Sequence, residues 1–226
     1  MTQVSSAPQG RQPLRVGFPT TVPCWFDSQW RNPNVGTFGP DPIIANHLME
    51  GGTYNGNTEL PVCMVLYSLA LANDARNIVE TGVNNAAGAT LWLVCAAFAN
   101  LGTYFGVDIR REACDKGAGI IRECLPDAPF ILECGDAIDV LPKHFNPGTI
   151  DFLFVDDDHG HDHVAKEVET FLPLVRSGGL LCFHDILGVH KTDIWDVIEP
   201  YGAIPLVDTL HRPDHPFGGL GIIKKP

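Results

Sequence analysis

From residue 58 onward the chain alternates two apolar patterns. One is a short unbroken run of strand length, as in NIVETG (77–82), TYFGVD (103–108), PFILECGD (129–136), TIDFLFVDDD (149–158) and LLCFHD (180–185). The other is a longer stretch of helical character. ATLWLVCAAFANLG (89–102) reads as a buried helix, REACDKGAGIIRECL (111–125) as a helix, AIDVLPKHF (137–145) as a short helix or turn, and HVAKEVETFLPLVRSGG (163–179) as an amphipathic helix closed by glycine. Ahead of the first strand, Leu60, Met64, Tyr67 and Leu71 recur at helical spacing, and Thr58 is placed to cap that helix. At the far end KTDIWDVIEPYG (191–202) predicts a helix, and AIPLVDTL and GGLGIIKK predict two last strands without a convincing helix between them.

Strand-then-helix repeated in this way builds a parallel sheet with helices on both faces. The expected architecture is therefore α/β: a doubly wound, mostly parallel, seven-stranded Rossmann-like sheet ending in a C-terminal antiparallel edge hairpin. Residues 57–226 form that domain. Residues 1–56 break the pattern, being rich in Pro, Gly, Asn and Ser with Trp25-Phe26, Trp30 and Phe38 scattered among them. They predict an irregular N-terminal arm or lid.

Composition narrows the function. A chain of 226 residues, 45% hydrophobic and 19% charged, suits one sizeable α/β domain. A net charge of −12 disfavours nucleic acid, whose phosphates need a basic face, and leaves a small-molecule substrate as the natural partner. The seven cysteines include no CxxC pair, and several sit inside apolar runs, as expected of reduced, buried thiols in the cytoplasm. The segment MTQVSSAPQGRQPLR lacks the apolar stretch of a signal peptide, and no apolar run approaches the roughly 20 residues of a membrane span.

In such a sheet, ligands sit beyond the carboxyl ends of the strands. Here the strands end in Glu80-Thr81-Gly82, Asp108, Gly135-Asp136, Asp156-Asp157-Asp158-His159 and His184-Asp185. Five strand ends thus bring acids and histidines to one rim. Gly82 and Gly88 allow close backbone approach to a ligand. Asp108, about one strand–helix unit later, stands where an acid accepts from the hydroxyls of an unphosphorylated ribose, and Asp136 could accept from an adenine amino group.

The series VETG, YFGVD, CGDA, FLFVDDDH and RSGGLLCFHD resembles the class I S-adenosylmethionine-dependent methyltransferases. It is most similar to the branch holding catechol-type and caffeoyl-coenzyme-A-type O-methyltransferases, antibiotic-pathway sugar O-methyltransferases and cephalosporin-hydroxylase-like proteins. The resemblance implies that Glu80 and Gly82 hold the methionine end of S-adenosylmethionine, with Asn84 in the same loop. Asp108 would hold the ribose, and Asp136 with Ala137 the adenine. Thr58 stands where the branch closes over the cofactor. Two departures are visible: Asn84-Asn85-Ala86-Ala87 replaces a glycine-richer loop, and the strand-five pair is His184-Asp185 rather than Asp-Asn or Glu-Asp.

Methyl transfer to a hydroxyl needs the acceptor deprotonated, by a base or by a cation that lowers its pKa. Residues 155–164 read VDDDHGHDHV. Asp156 and Asp185, at the ends of neighbouring strands, could offer carboxylates to Mg²⁺ or a similar divalent ion. His184 would be the third ligand if the site follows the branch, although strand alternation sends His184 and Asp185 to opposite faces unless the strand has ended. His159 occupies the position where the catechol-type enzymes carry a lysine base, and imidazole suits that task at neutral pH. His161, Asp162 and His163 read as structural or rim residues of the following helix.

Two rival readings follow from the same residues. HGHDH is one residue short of the HxHxDH signature of zinc-dependent hydrolases. The altered glycine loop also allows a non-methylating protein on this fold. The expected enzyme is an S-adenosylmethionine-dependent O-methyltransferase of a small molecule, possible as a homo-oligomer given its N-terminal arm.

Overall fold

The computed structural model describes residues 58, 60–86, 88–187, 194–206 and 218–226. The arm expected over 1–56 lies outside them. Helix α1 (Leu60–Ala72) leads into β1 (Asn77–Thr81), a 3₁₀ turn (Asn84–Ala86) and α2 (Thr90–Ala99). There follow β2 (Thr103–Asp108), α3 (Arg111–Cys124), β3 (Phe130–Cys134), α4 (Ala137–His144), β4 (Ile150–Val155), α5 (His161–Phe171) and β5 (Val175–Leu187). A single turn α6 (Trp195–Ile198) continues as 3₁₀ before β6 (Ile204–Leu206) and β7 (Gly218–Lys224).

The seven strands lie in the order β3-β2-β1-β4-β5-β7-β6. The first five are parallel, and β7 runs antiparallel between β5 and β6. This is the doubly wound sheet with a terminal antiparallel pair that the pattern predicts. The order reverses at β1 and β4, so their C-terminal ends face the switch point where ligands bind in such sheets.

Period-two alternation divides the core between the two faces. Ile78, Tyr104, Phe152, Phe154 and Cys182 pack under α1 and α2, with Tyr67 edge-on to Trp92. Val79, Phe105, Leu153, Val155, Leu181 and Phe183 pack under α4 and α5, against Leu141, Val164, Val168 and Phe171. Helix α2 is apolar nearly all round because α1 covers the side that the sheet does not. Among the described residues no helix is long and apolar enough to cross a membrane.

Two boundaries differ from expectation. The helix expected over 163–179 begins at His161 and ends at Phe171, and residues 175–179 belong to β5. Pro173 has no N–H to continue the helical ladder, and Val175 pairs with Ile150 ahead of a register shift. Arg176 fixes this irregular start by binding Asp151 and the Asn73 carbonyl. The helix expected over 191–202 is reduced to Trp195–Ile198 and a 3₁₀ turn containing Pro200; residues 191–193 lie outside the described set.

Candidate active site

At the C-terminal end of β4, Asp156 receives two hydrogen bonds. Thr58 Oγ1 donates to its Oδ2 at 2.7 Å, and His184 Nδ1 lies 2.9 Å from its Oδ1. An ionised carboxylate only accepts, so Nδ1 carries the proton. Burial would push the Asp156 carboxyl up. The charge and hydrogen bond of His184, the bond from Thr58 and nearby His159 outweigh burial and hold it below the ordinary carboxylate range. His159, 24% exposed, points Nε2 at this group, 3.8 Å from both Asp156 Oδ1 and Asp185 Oδ2.

His184 and Asp185 reach the site together, against simple alternation. Asp185 adopts a left-handed backbone (φ 51°), and the pairing of β5 with β7 shifts register between His184 and Leu187. This bulge re-aims one residue, so Asp185 Oδ2 comes to 3.6 Å from His184 Nδ1 although the strand runs on to Leu187. A left-handed conformation in a residue other than glycine costs about 1–2 kcal/mol.

The donor atoms of Asp156, His159 and His184 lie within 4.8 Å of one another, which fits a divalent cation. The His184 imidazole among the donors favours a borderline ion such as Mn²⁺, Fe²⁺ or Zn²⁺ over Mg²⁺, which prefers oxygen.

The loop after β1 lies beside this cluster. Gly82 has φ +78°, and a Cβ there would stand 2.0 Å from the Asp156 carbonyl oxygen. The close approach this glycine permits is thus to the β4 loop. Gly88 likewise packs on Thr58, where a Cβ would meet Oγ1 at 2.7 Å. Thr58 therefore wedges between the glycine loop and Asp156. Glu80 is 1% exposed and accepts a hydrogen bond from Tyr104 Oη; burial pushes its carboxyl up to about 8.

Asp108 ends β2 with both oxygens engaged. The Asn84 N–H donates to Oδ2 at 2.9 Å, the Arg110 N–H to Oδ1 at 2.9 Å, and the Arg110 guanidinium reaches both oxygens and Asn84 Oδ1. Burial opposes ionisation here, but these donors prevail and the carboxyl is held low. Asp136 stands apart as the N-cap of α4, accepting from the Ile138 N–H at 2.9 Å, with Ala137 buried behind it.

The HGHDH segment does not converge on one point. His159 joins the rim, His161 pairs with Asp196 at 3.2 Å, Asp162 is exposed, and His163 lies 3.6 Å from Glu167. This divides the ligand set that a zinc hydrolase would need. Three residues escaped the sequence reading. Arg110 stands two residues after the ribose-type acid, a spacing that suits a reach back to it. Tyr104 shares the strand of Asp108 and gives no sign of its bond to Glu80. Glu167 falls among Val164, Val168 and Phe171 on the apolar stripe of α5, and an acid there signals a buried partner. That partner is Asp157, whose carboxyl burial pushes up. Glu167, fully buried, is pushed up to about 11, with Asp157 adding to the shift.

Comparison with known proteins agrees with this architecture. Residues 79–186 match a family model described as a methyltransferase domain. The chain is 30% identical over 118 residues to caffeoyl-CoA O-methyltransferase 5 of Nicotiana tabacum, covering 50% of this chain and 48% of that protein. It is 30% identical over 117 residues to caffeoyl-CoA O-methyltransferase 1 of Zea mays, covering 50% and 44%. The chain thus spans about half the length of these curated relatives. Its fold is shared with the O-methyltransferase TomG from Streptomyces achromogenes, solved with S-adenosylmethionine (TM-score 0.64, 18% identity, 89% of this chain and 97% of that one). It is shared equally with an O-methyltransferase from Bacillus cereus in complex with S-adenosylhomocysteine (TM-score 0.64, 16% identity, 89% and 98%). Residues 79–186 are accordingly similar to a methyltransferase domain, on a fold shared with solved O-methyltransferases.

Proposed function

We propose that this protein transfers the methyl group of S-adenosylmethionine to a hydroxyl of a small-molecule acceptor, a phenol, sugar or other natural product, with His159 as general base. The observation that carries this reading is the position of His159 Nε2, equidistant from Asp156 and Asp185 at the ends of β4 and β5. Neutral imidazole takes the acceptor proton at Nε2. The two carboxylates then face the imidazolium that forms and stabilise it. The acceptor oxygen attacks the methyl carbon, the carbon–sulfur bond breaks, and its electron pair returns to sulfur, leaving S-adenosylhomocysteine.

The cofactor is assigned to Glu80, Gly82, Asn84, Asp108, Asp136, Ala137 and Thr58, along the ends of β1, β2 and β3 and the seam with α1. Asp108 is ionised and ready to accept from ribose hydroxyls, which would replace the Arg110 guanidinium now lying on it. Glu80 is held neutral near pH 7 by burial and becomes a counter-charge when a cationic methionine end arrives. A divalent cation, held by Asp156, His184 and Asp185, would lower the acceptor's pKa and fix its orientation.

Calorimetric titration of S-adenosylhomocysteine into the chelator-treated chain, followed by methyl-transfer assays on phenols and sugars with and without Mn²⁺ and Mg²⁺, tests the proposal. One-to-one binding with turnover on a hydroxylated acceptor is the expected result. Binding without turnover on any acceptor favours the non-methylating reading, and no binding under any condition overturns the assignment.

A further inference from the structure

Asp157 follows Asp156 at the end of β4 and serves a different group. It approaches His163 and Glu167, which lie one turn apart on the same face of α5. The potential donor atoms of these three residues all lie within 4.8 Å of one another, and His163 Nε2 is 3.6 Å from Glu167 Oε1. A tetrahedral ion with bonds of ~2.1 Å holds its ligand atoms roughly 3.4 Å apart. Small side-chain rotations would close the trio to that spacing.

A second observation points to a ligand here. The Glu167 side chain is 0% exposed, yet neither carboxyl oxygen has a hydrogen bond of acceptable geometry. Among the described residues one other buried side-chain oxygen is in that state, Thr81 Oγ1. Thr81 ends β1 opposite Val155 and acts on the Asp157 carboxyl, as Glu167 does. Both orphaned groups therefore gather around Asp157. Leaving a buried polar group unsatisfied costs about 1–3 kcal/mol, and a cation seated among these groups would satisfy them together.

We propose that Asp157, His163 and Glu167, with Thr81 Oγ1 beside them, form a second divalent-cation site. One imidazole and two carboxylates select a borderline first-row ion such as Zn²⁺ or Mn²⁺. The site is separate from the Asp156–His184 cluster and independent of the methyl-transfer proposal. Its role is structural: the ion ties the ends of β1 and β4 to the first turns of α5, behind the loop that carries Asp156 and His159.

The test is calorimetric titration of Zn²⁺ into the chelator-treated chain, with melting temperatures taken in parallel. An Asp156→Asn/His184→Gln variant removes the rim cluster and is expected to retain one equivalent of Zn²⁺ and a Zn²⁺-dependent rise in Tm. Adding Glu167→Gln, or separately His163→Gln, should weaken that binding by about tenfold or more and abolish the rise in Tm; changes around first ligands alone cost 10–100-fold. In the otherwise unaltered chain, Glu167→Gln should lower the Zn²⁺ stoichiometry by one. His161→Ala, a change to the surface pair with Asp196, should leave Zn²⁺ binding as it was. The proposal is overturned if the rim variant binds no Zn²⁺, which would leave Glu167 satisfied by a proton shared with Asp157. It is also overturned if Zn²⁺ affinity is indifferent to both Glu167→Gln and His163→Gln.

Discussion

Asp156 turns toward Thr58 and His184 at the rim, while Asp157, one residue later, turns toward Glu167 beneath α5. The two clusters are built from the same residue types and differ in what completes them. At the rim, carboxylates meet hydrogen-bond donors, so Asp156 is ionised and available. Beneath α5, the fully buried Glu167 carboxyl meets the more open Asp157 carboxyl and one partly exposed imidazole, and both acids are pushed toward the neutral form. An ionised, half-open group suits proton transfer and substrate binding. An acidic pair with one member sealed under the helix is silent until a proton or a metal ion completes it. Residue type alone therefore assigns no role in VDDDHGHDHV; the environment on each side of β4 does.

The sharpest way to break this comparison is His159→Ala. Loss of a positioned general base should lower methyl transfer by about 10²–10⁴-fold, with S-adenosylhomocysteine affinity little changed. Retention of full turnover would remove His159 from the chemistry. Next in size is Gly82→Ala. The added Cβ meets the Asp156 carbonyl at 2.0 Å in a left-handed backbone, so an unfolding free energy lower by about 2–5 kcal/mol is expected from denaturant titration. A near-neutral result would mean that the two loops are not in contact.

A third prediction concerns pH. Glu80 and Glu167 bind protons more tightly folded than unfolded, since burial raises both. Their contribution is full below the unfolded value near 4.5 and is lost as pH rises through the folded one, about 8 for Glu80 and about 11 for Glu167. Chelator-treated protein should therefore lose stability between pH 5 and 8, by up to about 1.4 kcal/mol per pH unit for each group. Asp156, held low, acts in the opposite sense and matters only below its ordinary value of 3.8. Denaturant midpoints against pH should flatten in Glu80→Gln and in Glu167→Gln; an unchanged slope in both would mean that neither acid is buried as described. The smallest effect belongs to Thr58→Val. Losing one hydrogen bond to Asp156 should cost about 1 kcal/mol and move the acid unfolding limb to higher pH, read from the same midpoints.

Much of this was legible in the chain before folding. The apolar runs at 77–81, 103–108, 130–134 and 150–155 locate four parallel strands, because strands buried on both faces leave continuous apolar segments. The acids at their ends mark the rim. Local pattern could not separate Val175–Gly179 from the helix before it, since Val175, Arg176 and Ser177 fit either state and the decision comes from pairing with β4. Nor could alternation place His184 and Asp185 on one side, because the bulge is set by register against β7, some 35 residues downstream. Glu167 was visible as an acid on an apolar stripe, but its partner lies on another element and only the fold joins them.

The contact between Gly82 and Asp156 also bears on how such a protein can diverge. Every side chain larger than hydrogen at position 82 would press the turn assigned to the cofactor against the backbone of Asp156, whose side chain faces the proposed base, in one step. Neither half can be altered there without altering the other. New acceptor preferences must then accumulate away from this seam, while the seam itself is inherited as a unit.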